Sequence, residues 1–335
     1  MPERTICQCH AVRLSCPINR LFSRTMPINR LYSILLIFMI CAISRISADD
    51  KLKRHFTARQ AFDYQGPILF NSNFTDHGLD KFNLSEDGRY GIQKHDPTRT
   101  QITAAPELGV QRKVVRFTVP RAANSYRSEI SLPSERGFNE RWYGISMLVP
   151  KDWKIDTNQR ADIVIQWHAI PGNWKPTYPN LAIAIQDSNW FVRQSFGSPQ
   201  KSPTRRKIKL DEPMRPGVWT AWIIHAKWSP DGNGQIRIWN NGKAVFNHKG
   251  PNVYGTIGKE YTPYLKTGIY HPEWNLKSEQ HKLRFQAEMP GVLKKEIYVS
   301  DVVVGNSDAT YDLIARRLKD HALKNDAKRG GTTAW

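Results

Sequence analysis

Apolar and polar residues alternate with a period of two through short, separate stretches of this chain. Ile68 to Asn71, Lys113 to Val119, Ser128 to Leu132, Trp142 to Val149, Ile163 to His168 and Leu181 to Ile185 all read as strands. So do Trp190 to Phe196, Thr220 to Lys227, Gln235 to Asn240, Leu265 to Tyr270 and Glu296 to Val304. Turn clusters separate them, and Asp231-Gly232-Asn233-Gly234 and Asn240-Asn241-Gly242-Lys243 are strong hairpin signals. Many short strands at this spacing predict an all-β sandwich or barrel over residues 66–310. Helical periodicity is confined mainly to the end, where Tyr311, Ile314, Leu318 and Ala322 recur after Asp308 as a cap, giving a helix and tail over 311–335.

Three of these strands have a chemically loaded face. Across Asp162-Ile163-Val164-Ile165-Gln166-Trp167-His168-Ala169, alternation groups Val164, Gln166 and His168 against Ile163, Ile165 and Trp167. Across Tyr126 to Leu132 it groups Arg127, Glu129 and Ser131 against Ile130 and Leu132. In Tyr264 to Tyr270 it sets Tyr264, Lys266, Gly268 and Tyr270 against Leu265 and Ile269. One sheet carrying all three would present arginine, glutamine, histidine, lysine and tyrosine to a single groove.

The motifs R-S-E, Q-W-H and Y-L-K-T-G-I-Y resemble the three sheet motifs of the jelly-roll polysaccharide lyases, written R-(S/T)-E, Q-x-H and Y-x-K-x-G-x-Y in the alginate lyases. The wider context, Trp142-Tyr143-Gly144, Pro150-Lys151-Asp152-Trp153 and Trp239-Asn240-Asn241-Gly242-Lys243, is similar to the heparin lyase I and glucuronan lyase-like branch. The resemblance runs from roughly Phe70 to Gly305. It implies a jelly-roll β-sandwich of two antiparallel sheets with a concave substrate groove. It also implies β-elimination on a uronic-acid-containing polysaccharide of glucuronan or heparin and heparan type, leaving a 4,5-unsaturated uronate. The family pattern often has a second basic residue where Ser131 stands, which weakens a transfer of alginate specificity.

The residues suit that reaction. The C5 hydrogen of a uronate lies α to a carboxylate that resists further negative charge, so the site must supply cations or strong donors there. Arg127 offers a planar, permanently charged fork, and Gln166 an amide that donates without titrating. His168 and Tyr270 are the acid and base, as the resemblance also implies, with Tyr270 as acid and His168 as base the favoured division; the tyrosine serves as both on some stereochemistries. Lys266 is a cation for the tyrosine or for a substrate carboxylate. Glu129 reads as an ion-pair partner for Arg127 or Lys266, or else as a base, and Tyr264 borders the groove. Trp174 and Trp274 fall in loops beside prolines, where they stack on sugar or cap a sandwich edge. Trp142, Trp219, Trp222, Trp228 and Trp239 read as core. Arg193 and the basic run Lys201 to Lys207 track anionic polymer outside the reacting unit or form a solvated loop. No cofactor is required. The resemblance allows a structural calcium ion, for which Asp76, Asp80, Glu86 and Asp87 are the early-loop oxygen donors, without a recognisable calcium-loop spacing.

Composition narrows the setting. Of 335 residues, 40% are hydrophobic, enough for a sizeable core. Residues 1–48 read as a signal peptide or leader: Leu31 to Ile43 is an apolar run preceded by Arg30 and followed by small residues near Ala48, with Met26 an alternative start. The run is short for a bilayer span, so no stable membrane span is expected after its removal. All four cysteines, Cys7, Cys9, Cys16 and Cys41, lie in the leader, and the exported chain folds without disulfides. Residues 49–65 read as an N-terminal arm. The leader holds six of the 49 basic and one of the 30 acidic residues, leaving a net charge of about +14 that attracts polyanions. No zinc-finger, RNA-recognition or basic-helix signature accompanies it, and export excludes a genomic partner, so nucleic acid is not expected. An anionic polysaccharide in a secreted or periplasmic setting fits charge and compartment together. A non-catalytic carbohydrate-binding sandwich is the alternative. A retaining hydrolase is disfavoured because no strand supplies its two carboxylates.

Overall fold

The computed structural model describes residues 57–75, 78–79, 81–82, 98–106, 109–154, 161–169, 178–197, 203–254, 261–287 and 291–326. Strands are numbered in chain order. One sheet combines β1 (Ile68–Asn73), β2 (Thr100–Ala105), β3 (Gly109–Pro120), β6 (Glu140–Leu148), β11 (Trp219–Lys227), β12 (Gln235–Asn240), β13 (Lys243–Lys249) and β16 (Lys294–Gly305). Its order is β13-β12-β11-β6-β16-β3-β2, with β1 also paired to β16. The second sheet runs β10 (Thr204–Pro213), β9 (Asn189–Phe196), β8 (Leu181–Gln186), β7 (Asp162–His168), β15 (Tyr264–Tyr270) and β4 (Arg127–Ser131). Short strands β5 (Glu135–Arg136) and β14 (Tyr261–Thr262) pair separately. All these strand pairs are antiparallel, and the expected β-sandwich is what forms.

The core lies between the two large sheets. Trp167 on β7 meets Tyr143 on β6 edge to face, with ring centroids 5.1 Å apart, and Trp190 on β9 meets Trp222 on β11 at 5.0 Å. Trp222 and Trp228 are fully buried, as expected of core tryptophans, whereas Trp142 and Trp239 stack on each other on the outer face of the eight-stranded sheet. Trp219 is only partly buried and donates its indole N–H to Pro106 O. The residues read as an arm include a short helix, α1 (Ala58–Ala61), and Ala61 and Phe62 join the core.

The turns follow from local chemistry. Asn241 and Gly242 both have positive φ, 46° and 87°, closing the β12–β13 hairpin as the sequence predicts. The sequence leaves the basic run Lys201 to Lys207 as either a tract along anionic polymer or a solvated loop. From Thr204 onward it is not a loop but the edge strand β10, hydrogen-bonded to β9, with Ile208 and Leu210 turned inward; Lys201 lies outside the described residues.

Helix α2 (Glu279–Ala287) has no buried residue and is held from outside, by Arg284 paired with Glu273 at 2.8 Å and by Arg121 donating to Phe285 O at 2.6 Å. Helix α3 (Tyr311–Asp326) packs Ile314 and Leu318 on the outer face of the eight-stranded sheet, against Ile223 and Val303. Gly144 makes the seat, since a Cβ there would stand 2.6 Å from Ile314 Cγ2. The helix is capped by Thr310, whose Oγ1 accepts from Leu313 N at 3.2 Å, and not by Asp308, which lies two residues too early. Among the described residues no helix is long and apolar enough to cross a membrane.

Truncating Ile314 to alanine should cost about 2–5 kcal/mol of stability by opening a cavity under α3. Urea denaturation measures this, and an unchanged midpoint would mean that the helix contributes no packing at that seat.

Candidate active site

Register brings the three polar strand faces together. On β15, Lys266 stands between Ser131 of β4 and Gln166 of β7, Gly268 is opposite Glu129, and Tyr270 lies between Arg127 and Ile163. Tyr264 is opposite His168. The outward face of this sheet lines a groove of about 430 Å³, reached by Arg127, Gln166, His168, Lys266, Tyr270 and Arg193.

One expected alternation fails. The β7–β8 register slips between Ile163 and Ile165, so Val164 turns into the core while Ile163 faces the groove beside Tyr270. A bulged residue adds one step to the strand and reverses the faces beyond it. Gln166 and His168 keep the groove side.

At the floor lies Glu129, a buried carboxylate. Gln166 Nε2 donates to its Oε1, Lys266 Nζ is 3.1 Å from Oε2, and Arg127 Nη1 is 3.9 Å from Oε2. Glu129 therefore ties together the neighbouring cations and fixes the Gln166 amide. Its side chain spans β15 to reach Gln166 on β7, and Gly268, opposite it, lets the two strands' main chains approach closely. Gly268 has φ 136°, and a Cβ there would fall against Ser128 O and within 2.6 Å of Glu129 Cα.

Electrostatics divides the titratable groups. Burial, with Lys266 and Arg127 adding repulsion against the partial relief of Ala169 O and Glu129, lowers the His168 pKa to about 4. The ring is thus neutral near pH 7; with Nδ1–H donating to Ala169 O at 2.8 Å, Nε2 is left as an acceptor. Burial also lowers Lys266, to about 8, outweighing the attraction of Glu129. Tyr270 is raised by burial, which the Arg127 charge only partly offsets, so its hydroxyl keeps its proton. The Arg127 guanidinium stands 4.4 Å from the Tyr270 ring centroid and 4.9 Å from that of Tyr126. The site combines a neutral imidazole acceptor, a protonated phenol and a fixed cation.

Other expected residues fall elsewhere. Tyr264 is buried beside His168, their rings 6.0 Å apart, and does not line the groove. Trp274 is no sugar platform: the 3₁₀ turn Pro272–Trp274 tucks it into the core at 0% exposure, edge-on to His271. Trp174 lies outside the described residues, as do Asp76, Asp80, Glu86 and Asp87. Among the described residues no group of three or more His, Cys, Asp or Glu side chains is arranged to hold a metal ion.

The opposite wall was only partly foreseen. Arg193 of β9 is directly paired with Lys207 of β10, and Arg205 and Arg206 also line the groove, with Arg205 4.6 Å from the ring centroid of Tyr178. Tyr178, Ser195 and Pro272 complete the lining without any sequence signal of their own. Replacing Gly268 with alanine should destabilise the protein by about 1–3 kcal/mol, measurable by chemical denaturation; a neutral substitution would show that β15 and β4 are not held so closely.

An endo-β-1,4-glucuronan lyase from the fungus Trichoderma reesei is similar in structure at 19% identity and a TM-score of 0.48, over 62% of this chain and 88% of that one. An alginate lyase from Pseudomonas aeruginosa is similar at 16% identity and a TM-score of 0.40, over 58% and 83%. No curated protein matches the sequence. The family model described as polysaccharide lyase matches residues 77–287.

Proposed function

This chain belongs to the polysaccharide lyase family, and on that premise we propose that it cleaves a 4-linked, uronic-acid-containing polymer by β-elimination, in the secreted or periplasmic space after loss of residues 1–48. The observation that carries this reading is the convergence of Arg127, Gln166, His168, Lys266 and Tyr270 from three strands on one groove. In the proposed reaction Arg127 and the remaining amide N–H of Gln166 face the carboxylate of the reacting uronate. Their charge and dipole offset the negative charge that builds up as C5 loses its hydrogen. His168 Nε2 accepts that proton. The electron pair of the C5–H bond forms the C4–C5 double bond, the C4–O4 bond breaks, and the Tyr270 hydroxyl protonates O4. The resting protonation states, imidazole neutral and phenol protonated, are those this division needs.

The far wall supports an anionic polymer of glucuronan or heparin and heparan type. Like charges directly opposite each other on adjacent strands are destabilising, and Arg193 and Lys207 occupy such a pair. A ligand with negative charge beyond the reacting sugar would meet both cations on this wall. Sheet neighbours lie about 4.8 Å apart, so these cations on β9 and β10 sit several strands from Tyr270 and touch different sugars of the same chain.

Mixing the purified protein with glucuronan, heparan sulfate, heparin and alginate should raise ultraviolet absorbance on at least one polymer as the unsaturated uronate forms. Tyr270→Phe and His168→Asn should each lower kcat roughly 10²–10⁴-fold; binding to all four without any absorbance change would replace the lyase reading with a sugar-binding module. The pH profile of kcat/KM should fall on the acid side near pH 4, where His168 takes up its proton, and on the alkaline side near pH 8, where Lys266 loses its own. Lys266→Arg, which keeps its charge, should move the alkaline limb upward, and an unmoved limb would remove Lys266 from that role.

A further inference from the structure

Directly behind the groove lies a second charged cluster that the chemistry above leaves unused. His271, the residue after Tyr270, is completely buried, and its Nδ1 pairs with Asp162 Oδ1. Asp162 Oδ2 lies 3.2 Å from Lys295 Nζ, which also donates to Lys154 O at 2.9 Å and stands 4.6 Å from the Trp153 ring centroid. The three residues come from the start of β7, the position just after β15 and the start of β16, so the cluster joins the groove sheet to its partner sheet.

Stability alone accounts poorly for this arrangement. Burying ionised side chains costs several kcal/mol per ion, and well-packed apolar replacements are often neutral or stabilising. What the cluster does have is a location. Tyr270 is the last residue of β15, and the β15–β7 register breaks between Thr267 and Tyr270, so the ladder that would fix the tyrosine is interrupted on that side. Just beyond the Tyr270–Ile163 pair, where the next rung would fall, His271 and Asp162 are joined through their side chains. On the other side His271 N donates to Tyr126 O at 2.8 Å, and the Tyr126 ring packs 6.0 Å from that of Tyr270 around Arg127. The histidine is therefore tied to both neighbours of the strand end.

We propose that Asp162, His271 and Lys295 are positioning residues that hold the Tyr270 hydroxyl at the reacting bond by extending the interrupted β15–β7 ladder, beyond its Tyr270–Ile163 pair, with a buried side-chain rung. They touch no substrate. Their effect is on geometry, where a displacement of about 1 Å costs roughly 10²-fold in rate. The inference rests on the lyase reading above.

Steady-state kinetics on the polymer that the wild-type protein cleaves, with circular dichroism and thermal melting of each variant, test it. His271→Leu should lower kcat about 10–100-fold while KM stays within about twofold. His271→Asn, whose Nδ2–H can donate to Asp162 as the imidazole does, should recover most of that loss. Asp162→Asn combined with His271→Leu should cost little more than either change alone, as expected for residues that act as a unit. A folded His271→Leu protein with wild-type kcat would overturn the proposal. So would equal losses in both His271 variants that track a falling melting temperature, because the cluster would then be structural only. A wild-type protein inactive on every polymer would remove the lyase reading and this inference with it, whereas an active wild type with unaffected variants would remove the inference alone.

Discussion

A single carboxylate governs what this groove can hold. Lysine and arginine side chains beneath an apolar sheet surface lose hydration, and unless an anion stands near them the lysine gives up its proton or the sheet opens to water. Glu129 supplies that anion within reach of Lys266, Gln166 and Arg127 at once. Its placement depends in turn on Gly268, which lets β15 approach the main chain of Ser128 and Glu129 on β4 closely. The R-S-E, Q-W-H and Y-L-K-T-G-I-Y stretches are thus one interaction seen from three places in the chain. None of the three works alone, since an isolated buried lysine or carboxylate costs more than its strand can recover.

Much of this was legible because a sheet has a simple period. Two-residue alternation puts Arg127 with Glu129, Gln166 with His168, and Lys266 with Gly268 and Tyr270 on one face of their respective strands, and register brings those faces together. Alternation failed at Val164, where a bulge exchanges two apolar residues between faces; since Ile163 and Val164 are both apolar, no change of composition marks it. It failed differently for Trp274, where proximity to a proline suggested an open loop but a 3₁₀ turn buries the ring. The run Thr204 to Lys209 hid its strand because only Ile208 is apolar among its charged neighbours. Asp162, His271 and Lys295 could not be joined by any reading of local pattern, since they lie on separate strands and meet only when the two sheets pack.

The two walls of the groove differ in physical character. At β4, β7 and β15 the charges are few, mostly buried and mutually paired, so they are weakly screened and act at short range. Along β10 they are numerous and mostly exposed, so they act through the solvent and respond to salt, with the half-buried Arg193 of β9 beside them. The first wall is suited to changing a bond, the second to holding a chain in place while that happens. The neutral, bulge-exposed Ile163 and the small Ala182 lie between them, giving a sugar ring an apolar surface to slide across.

The exposed wall is also the open edge of a sheet. A strand with unpaired backbone groups is a template for another strand, and proteins guard such edges with lysines, bulges and prolines. β10 has all three: Arg205, Arg206, Lys207 and Lys209, a register break after Lys209 and Pro213 at its end. Two molecules brought edge to edge over Arg205 to Lys209 would place these like charges against each other. The strand that lines the groove with cations is for the same reason the strand that keeps the protein from adding itself to its own sheet.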